Sequence, residues 1–251
     1  MRRAVVYGIK GGIGKSTLSV NMAYGLADRG AKVALMDLDP QGDSTDMLGC
    51  DATQSGGMWS VLAEGVSPMT VAVDVAKNLT LFPSNKALAV IDRWLTSQED
   101  PGRVLADSMA RVRGFDFIVM DTAPGYSLLN QNALVYAREA WLPCAMEYLS
   151  MRGVGHVTEV LNLLQSARGH APEIRIVIPM FYDGRTKTSR EVLDALRKDF
   201  PNKVSPPIRR SVKVSVAAGR GMSIFEHDKS KNGSAHDFHA LVDYLLSLGK
   251  K

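Results

Sequence analysis

The feature that most limits what this chain can fold into is a glycine-rich loop set between an apolar run and a helix-compatible stretch. Residues 4–9 (AVVYGI) read as a buried strand, and Lys10, Gly11, Gly12, Ile13, Gly14, Lys15, Ser16 and Thr17 follow it. A phosphate loop spaced G-x-x-x-x-G-K-[ST] is matched at Gly14, Lys15 and Ser16, but it asks for glycine where Ile9 stands. The physics survives that departure. Gly11, Gly12 and Gly14 let backbone N–H groups turn inward around an anion. A helix starting near Ser16 points the positive end of its dipole at the same place. Lys15 then reaches β- and γ-phosphates, and Ser16 ligates Mg2+. A glycine turn with incidental lysines is the bland alternative, and it does not account for strand, loop and helix in that order.

The remainder alternates in the same way. Strands are expected at 32–36, 78–82, 115–120, 141–146 and 174–179, with Pro143 weakening the fourth of these. Helices are expected at 16–29, 87–97, 104–112, 128–137, 153–167 and 189–199. This alternation predicts an α/β fold, a doubly wound and mostly parallel sheet with helices on both faces. The whole of 1–251 reads as one domain, and 49–77 is the least legible stretch. Apolar residues are 45% of the chain and charged residues 22%, which excludes a disordered or low-complexity chain. No run of about 18 apolar residues exists to span a bilayer. The opening Met1-Arg2-Arg3 resembles a signal n-region, but Lys10 and the glycines interrupt the apolar run behind it. Cys50 and Cys144 are isolated, so neither a disulfide framework nor a paired-cysteine metal site is expected, and a reducing cytoplasm is the default.

Two acidic motifs follow strands. Asp37-Leu38-Asp39-Pro40-Gln41-Gly42 places two carboxylates at the C-terminal edge of the expected sheet, where ligands of such sheets bind. One carboxylate suits a metal-bound water and the other the attacking water; a solvated acidic turn is the alternative. Phe115 to Met120 is a hydrophobic strand ending in Asp121, a position that supports Mg2+ in phosphoryl-transfer proteins.

The run Lys10-Gly11-Gly12-Ile13-Gly14-Lys15-Ser16 resembles the deviant Walker A motif of the ParA/MinD ATPases, and the D-x-D-P-Q-G form resembles the ParA branch. Ala123 departs from the usual D-x-P-P. Segments 79–85, 143–148, 182–186 and 208–215 extend the resemblance over nearly the whole chain, beginning at the first strand, so the short form without an N-terminal helix-turn-helix is expected. The resemblance implies a P-loop NTPase that binds ATP/ADP and Mg2+. Lys10 crosses a sandwich homodimer to the partner's phosphates, and Lys15 and Asp39 complete the catalytic set. Ser16, Asp37 and Asp121 serve the metal. Residues 10–17 hold phosphate, with Met180, Phe181, Asp183 and Ile208 near the base.

From Pro201 to Lys231 seven basic residues meet two acidic ones, a local charge of +5 against +4 for the whole chain. A solvated face is one reading of this cluster and a nucleic-acid surface the other. The resemblance favours DNA, with Arg209, Arg210, Lys213 and Arg220 as candidates. No aromatic side chain interrupts 209–220, which suits backbone contact rather than base stacking. The implied function is a partition ATPase. Its ATP dimer binds DNA non-specifically, and a cargo-bound partner of the ParB type releases it by stimulating hydrolysis, giving a cytoplasmic, nucleoid-associated protein. A MinD-like membrane-cycling ATPase needs a basic amphipathic terminal helix, but the polar face of 235–248 carries Asp237, His239 and Asp243, so this helix is expected to pack on the domain. A ParA-like ATPase with non-DNA cargo shares the same chemistry. A small-molecule ligase or kinase lacks a visible substrate acid or base, and an iron–sulfur carrier lacks paired cysteines.

Overall fold

The computed structural model describes residues 1–51, 56–230 and 233–249. Lys231, counted above in the basic segment, lies outside the described residues. The described residues form a seven-stranded sheet in the order β3-β4-β2-β5-β1-β6-β7. Its strands are β1 (Arg2–Val6), β2 (Val33–Leu38), β3 (Val73–Ala76), β4 (Leu79–Phe82), β5 (Phe117–Thr122), β6 (Glu139–Ala145) and β7 (Glu173–Met180). All neighbours are parallel except β3 and β4. Strands β2 and β5 are buried along their full length, as continuous apolar runs covered on both faces require.

Helices cover each face. On one, the first helix (Lys15–Asp28) and the last (Ser234–Ser247) bury Leu18, Met22, Leu26, Phe238, Leu241 and Leu245 against Trp141 and its neighbours. The apolar stripe of the last helix is therefore core. On the other face, helices Leu128–Tyr136, Tyr148–Arg168 and Lys187–Asp199 bury Leu134, Val154, Leu161 and Leu196. Cutting any of these leucines to alanine removes about 2–5 kcal/mol.

Several expected boundaries move. The first strand ends at Val6, and only the Tyr7 N–H continues the ladder, to the Trp141 carbonyl at 3.1 Å. Pro143 is accommodated inside β6 because alternation turns it to the β1 side, beyond the last paired residue of β1. The expected helix 87–97 is a 3-10 turn (Lys86–Val90) continuing into Ile91–Leu95. The expected helix at 153 begins five residues earlier, at Tyr148, ahead of the two glycines that obscure its first turn. The illegible stretch hides β3, a four-residue edge strand with an irregular register at Asp74/Ala76. Helices Val212–Gly219 and Ile224–His227 have no counterpart in the expected alternation.

Candidate nucleotide site

The loop between β1 and the first helix sits at the C-terminal end of the parallel strands. Gly14 ends it in left-handed backbone, φ 89°. A Cβ there would come within 2.9 Å of Met180 Cε and 3.3 Å of Phe181 Cζ, so the loop meets the end of β7 only because Gly14 has no side chain. Phe181 itself holds φ 60°, a costly conformation for a bulky residue and the kind of strain that concentrates at binding sites. Lys15 is 6% exposed, and its Nζ donates to the Lys10 carbonyl at 3.3 Å. Burial pushes its ammonium below the ordinary lysine range, against the pull of Asp121, Asp39 and Asp43. A buried lysine held this way calls for an anion.

The acidic residues converge on the same edge. Asp37 and Asp121 are register partners on β2 and β5, and both are fully buried. Asp121 accepts from Ser19 Oγ at 3.0 Å and Ser44 Oγ at 2.7 Å, with the Ser16 hydroxyl as a further partner. Burial raises the Asp121 carboxyl to about 6. Burial together with the neighbouring Asp121 charge raises Asp37 to about 8. Two buried carboxylates this close favour either a shared proton or a cation. Among the described residues, no three His, Cys, Asp or Glu side chains form a complete metal cage. Oxygen donors such as Ser16 and Asp121, completed by phosphate oxygens and water, are what Mg2+ takes.

Asp37, like Asp121, has both carboxylate oxygens engaged by donors of its own subunit. Its Oδ1 accepts the Asp39 N–H at 3.1 Å, and its Oδ2 accepts Thr45 N–H at 2.9 Å and Thr45 Oγ1–H at 2.7 Å. Asp37 braces the turn that carries Asp39 and the short helix Asp43–Asp46. Asp39 is 6% exposed and accepts the Gln41 N–H through Oδ1 at 2.9 Å.

Between the loop and β7 opens a cavity of about 460 Å3 whose wall includes Gly12, Lys15, Ser16, Thr17, Met180 and Ile208. Asp183 is not in its wall. That carboxylate is forked onto Arg185 at 2.9 and 2.7 Å, which holds it down to about 2. In its place Val214, Ser215 and Ala218 of helix Val212–Gly219 close the cavity, together with Asp43 and Met47. Only the tertiary fold brings Val214, Ser215 and Ala218 there, whereas Asp43 stands one position beyond the D-x-D-P-Q-G run.

The four basic candidates divide. Arg209 lines the nucleotide cavity, and its guanidinium clasps Asp237 on the last helix at 2.8 Å. Arg210 lies over the Phe181 ring at 5.3 Å. Lys213 Nζ binds Asp228 at 2.9 Å yet stays more than half exposed. Arg220 is exposed just past helix Val212–Gly219. Lys10, at the other side of the loop, is exposed with its Nζ 3.8 Å from Glu147.

An AAA-domain family model matches residues 1–176. The chain is 31% identical over 250 residues to the chromosome-partitioning ATPase Soj of Thermus thermophilus, covering 98% of this chain and 96% of that one. The chain is a ParA-type ATPase. The cell division protein PomZ of Myxococcus xanthus is 29% identical over 249 residues, 98% of this ATPase and 78% of PomZ. Apo McdA of Cyanothece shares the fold, with a TM-score of 0.87 at 21% identity and 99% of each chain covered. Cobyrinic acid a,c-diamide synthase of Mycobacterium smegmatis, with ADP and magnesium bound, aligns at a TM-score of 0.81 and 28% identity over 98% of this ATPase and 94% of that chain. The ATPase therefore belongs to a family of partition and positioning ATPases. Among its described residues no helix is long and apolar enough to cross a membrane.

Proposed function

We propose that this ATPase positions cargo by a nucleotide-timed cycle: the ATP-bound form pairs as a sandwich dimer, holds DNA without reading its sequence, and lets go when a cargo-bound partner of the ParB type stimulates hydrolysis. The observation that carries this reading is Lys10. It stands at the entry of the phosphate loop with its ammonium at the surface, beside Glu147 rather than folded over its own phosphate site. Such a lysine is placed to serve a neighbouring subunit.

Within one subunit, the loop N–H groups and Lys15 bind the phosphates of ATP or ADP, and Ser16, with Asp37 and Asp121 behind it, would hold Mg2+, which would offset phosphate charge. Asp39 orients the attacking water, and Asp37 keeps Asp39 in place. Met180, Phe181 and Ile208 offer an apolar wall to the base. Exposed Arg210, Lys213 and Arg220 supply phosphate-contacting charge, so affinity for DNA falls steeply with salt. Arg209 and Lys213 each pair with a buried carboxylate, Asp237 and Asp228, yet keep about half of the side chain exposed to join that set. This reading places the protein in the cytoplasm on the nucleoid. A membrane-cycling reading is disfavoured because the apolar face of the last helix is core.

Co-sedimentation with DNA in ATP against ADP, beside a liposome arm, tests the proposal. ATP-dependent DNA binding supports it; liposome binding without DNA binding overturns it.

A further inference from the structure

A second cavity, again about 460 Å3, lies at the end of the sheet away from the phosphate loop. Its wall is formed by Arg3 near the start of β1, Arg103, Asp107, Arg113, Tyr136 at the end of helix Leu128–Tyr136, and Arg138 just before β6. Four guanidiniums thus face one carboxylate. That carboxylate is engaged: Asp107 pairs with Arg103 at 3.2 Å. Arg113 donates only to the carbonyls of Ala110 and Val112, at 2.7 and 2.8 Å. Among the described residues, no carboxylate pairs with Arg3, Arg113 or Arg138.

Tyr136 gives the second, independent observation. It is 3% exposed, and its hydroxyl, although the Arg3 side chain acts on it, completes no hydrogen bond of normal geometry. The Arg3 guanidinium covers the ring face, 4.6 Å from the centroid, and its charge also acts on the hydroxyl. A buried hydroxyl without a completed hydrogen bond is uncommon and costly. Guanidinium forks match oxyanions bidentately, and the cavity volume is within the range of small-ligand sites.

We propose that this cavity binds a small, multiply charged phosphoanion at a site separate from the nucleotide site. Three guanidiniums without a carboxylate partner call for more than one negative charge. A DNA phosphodiester carries a single charge on a convex rod, whereas a terminal phosphate group reaches into a concave wall. The bound anion gives Arg3, Arg113 and Arg138 their acceptor and brings an oxygen to the Tyr136 side of the cavity.

The test uses the full chain saturated with ADP, titrated calorimetrically with inorganic pyrophosphate at constant free Mg2+. Saturable uptake beyond the nucleotide site is expected. Replacing both exposed arginines, Arg113→Gln with Arg138→Gln, is expected to weaken it by about tenfold or more, the effect of losing charge-assisted hydrogen bonds. Tyr136→Phe, which removes only the oxygen, is expected to weaken it by a smaller factor. ADP affinity stays unchanged in all three proteins and reports that they are folded. Absence of saturable uptake, or equal pyrophosphate affinity in the double variant, overturns the proposal. A short DNA duplex that displaces pyrophosphate and loses affinity in the same double variant also overturns it, by assigning the cavity to DNA.

Discussion

Lys10 Nζ lies 3.8 Å from Glu147 Oε2, a contact that ties the entry of the phosphate loop to the start of helix Tyr148–Arg168 within one subunit. If Lys10 acts across a dimer, this contact opens when the dimer forms. Exposed pairs of this kind are worth about 0.2–1 kcal/mol and two of them open per dimer, so Glu147→Gln is expected to tighten ATP-dependent dimerisation by about two- to thirtyfold. Lys10→Ala is expected to bind ATP as a monomer and fail to dimerise. Light scattering with ATP checks both; normal dimers of Lys10→Ala remove the trans role.

Lys15 is a buried cation whose only hydrogen-bond acceptor among the described residues is the Lys10 carbonyl. Lys15→Ala is expected to abolish ATP binding by calorimetry. The nucleotide-free protein keeps its thermal midpoint, because the lost group was a desolvated charge rather than a packing element, and ADP no longer raises that midpoint. Near-normal ATP affinity in this variant contradicts the phosphate-loop assignment.

Asp39 separates binding from turnover. Asp39→Ala keeps ATP and Mg2+ affinity, since Lys15, Ser16 and Asp121 remain, but loses most hydrolysis, because an attacking water without orientation forfeits its in-line approach. The ATP dimer and its DNA complex then live longer. Phosphate release and dimer lifetime measured on one preparation decide it; wild-type hydrolysis refutes the role.

Arg209 and Arg220 are expected to differ in their effect on stability. Arg209→Ala strips the guanidinium from Asp237, a carboxylate only 10% exposed that keeps the residue-209 backbone N–H as a donor, while Arg209 itself is about half exposed. Solvent screening reduces the loss to about 1–2 kcal/mol of stability. Arg220→Ala leaves stability within about 0.5 kcal/mol and weakens DNA binding with a shallower salt slope. Urea denaturation and DNA titration at several salt concentrations distinguish them.

Asp228 links acid pH to the last helix. It accepts from Lys213 Nζ, Ser230 Oγ and the Ser234 N–H at the start of helix Ser234–Ser247. These donors hold its carboxyl well below the usual range, the Ser230 hydroxyl first among them. A depressed folded-state value contributes stability that is present above the ordinary carboxylate range and is lost as pH falls through and below it. Asp228→Asn is expected to lower the melting temperature at pH 7, with the gap to wild type closing toward pH 2. A gap that persists unchanged in acid assigns the effect to shape rather than charge.

The sequence by itself determined the phosphate loop, the fold class and the acidic strand ends, because each is local. Glycines at fixed offsets from Lys15 and Ser16 dictate an anion nest, apolar runs alternating with helical spacing dictate a parallel sheet, and Asp37, Asp39 and Asp121 follow those runs directly. Only the tertiary structure decided which of these groups faces the site. Asp37 and Asp39 are two residues apart and chemically identical, yet Thr45 closes over the first. Arg209 and Arg210 are adjacent, yet one clasps Asp237 and the other lies over Phe181. Asp183 turns away to Arg185, and helix Val212–Gly219 supplies the cavity wall instead. A side chain's partner is set by what distant strands and helices bring within about 3 Å of it, and spacing along the chain does not carry that information.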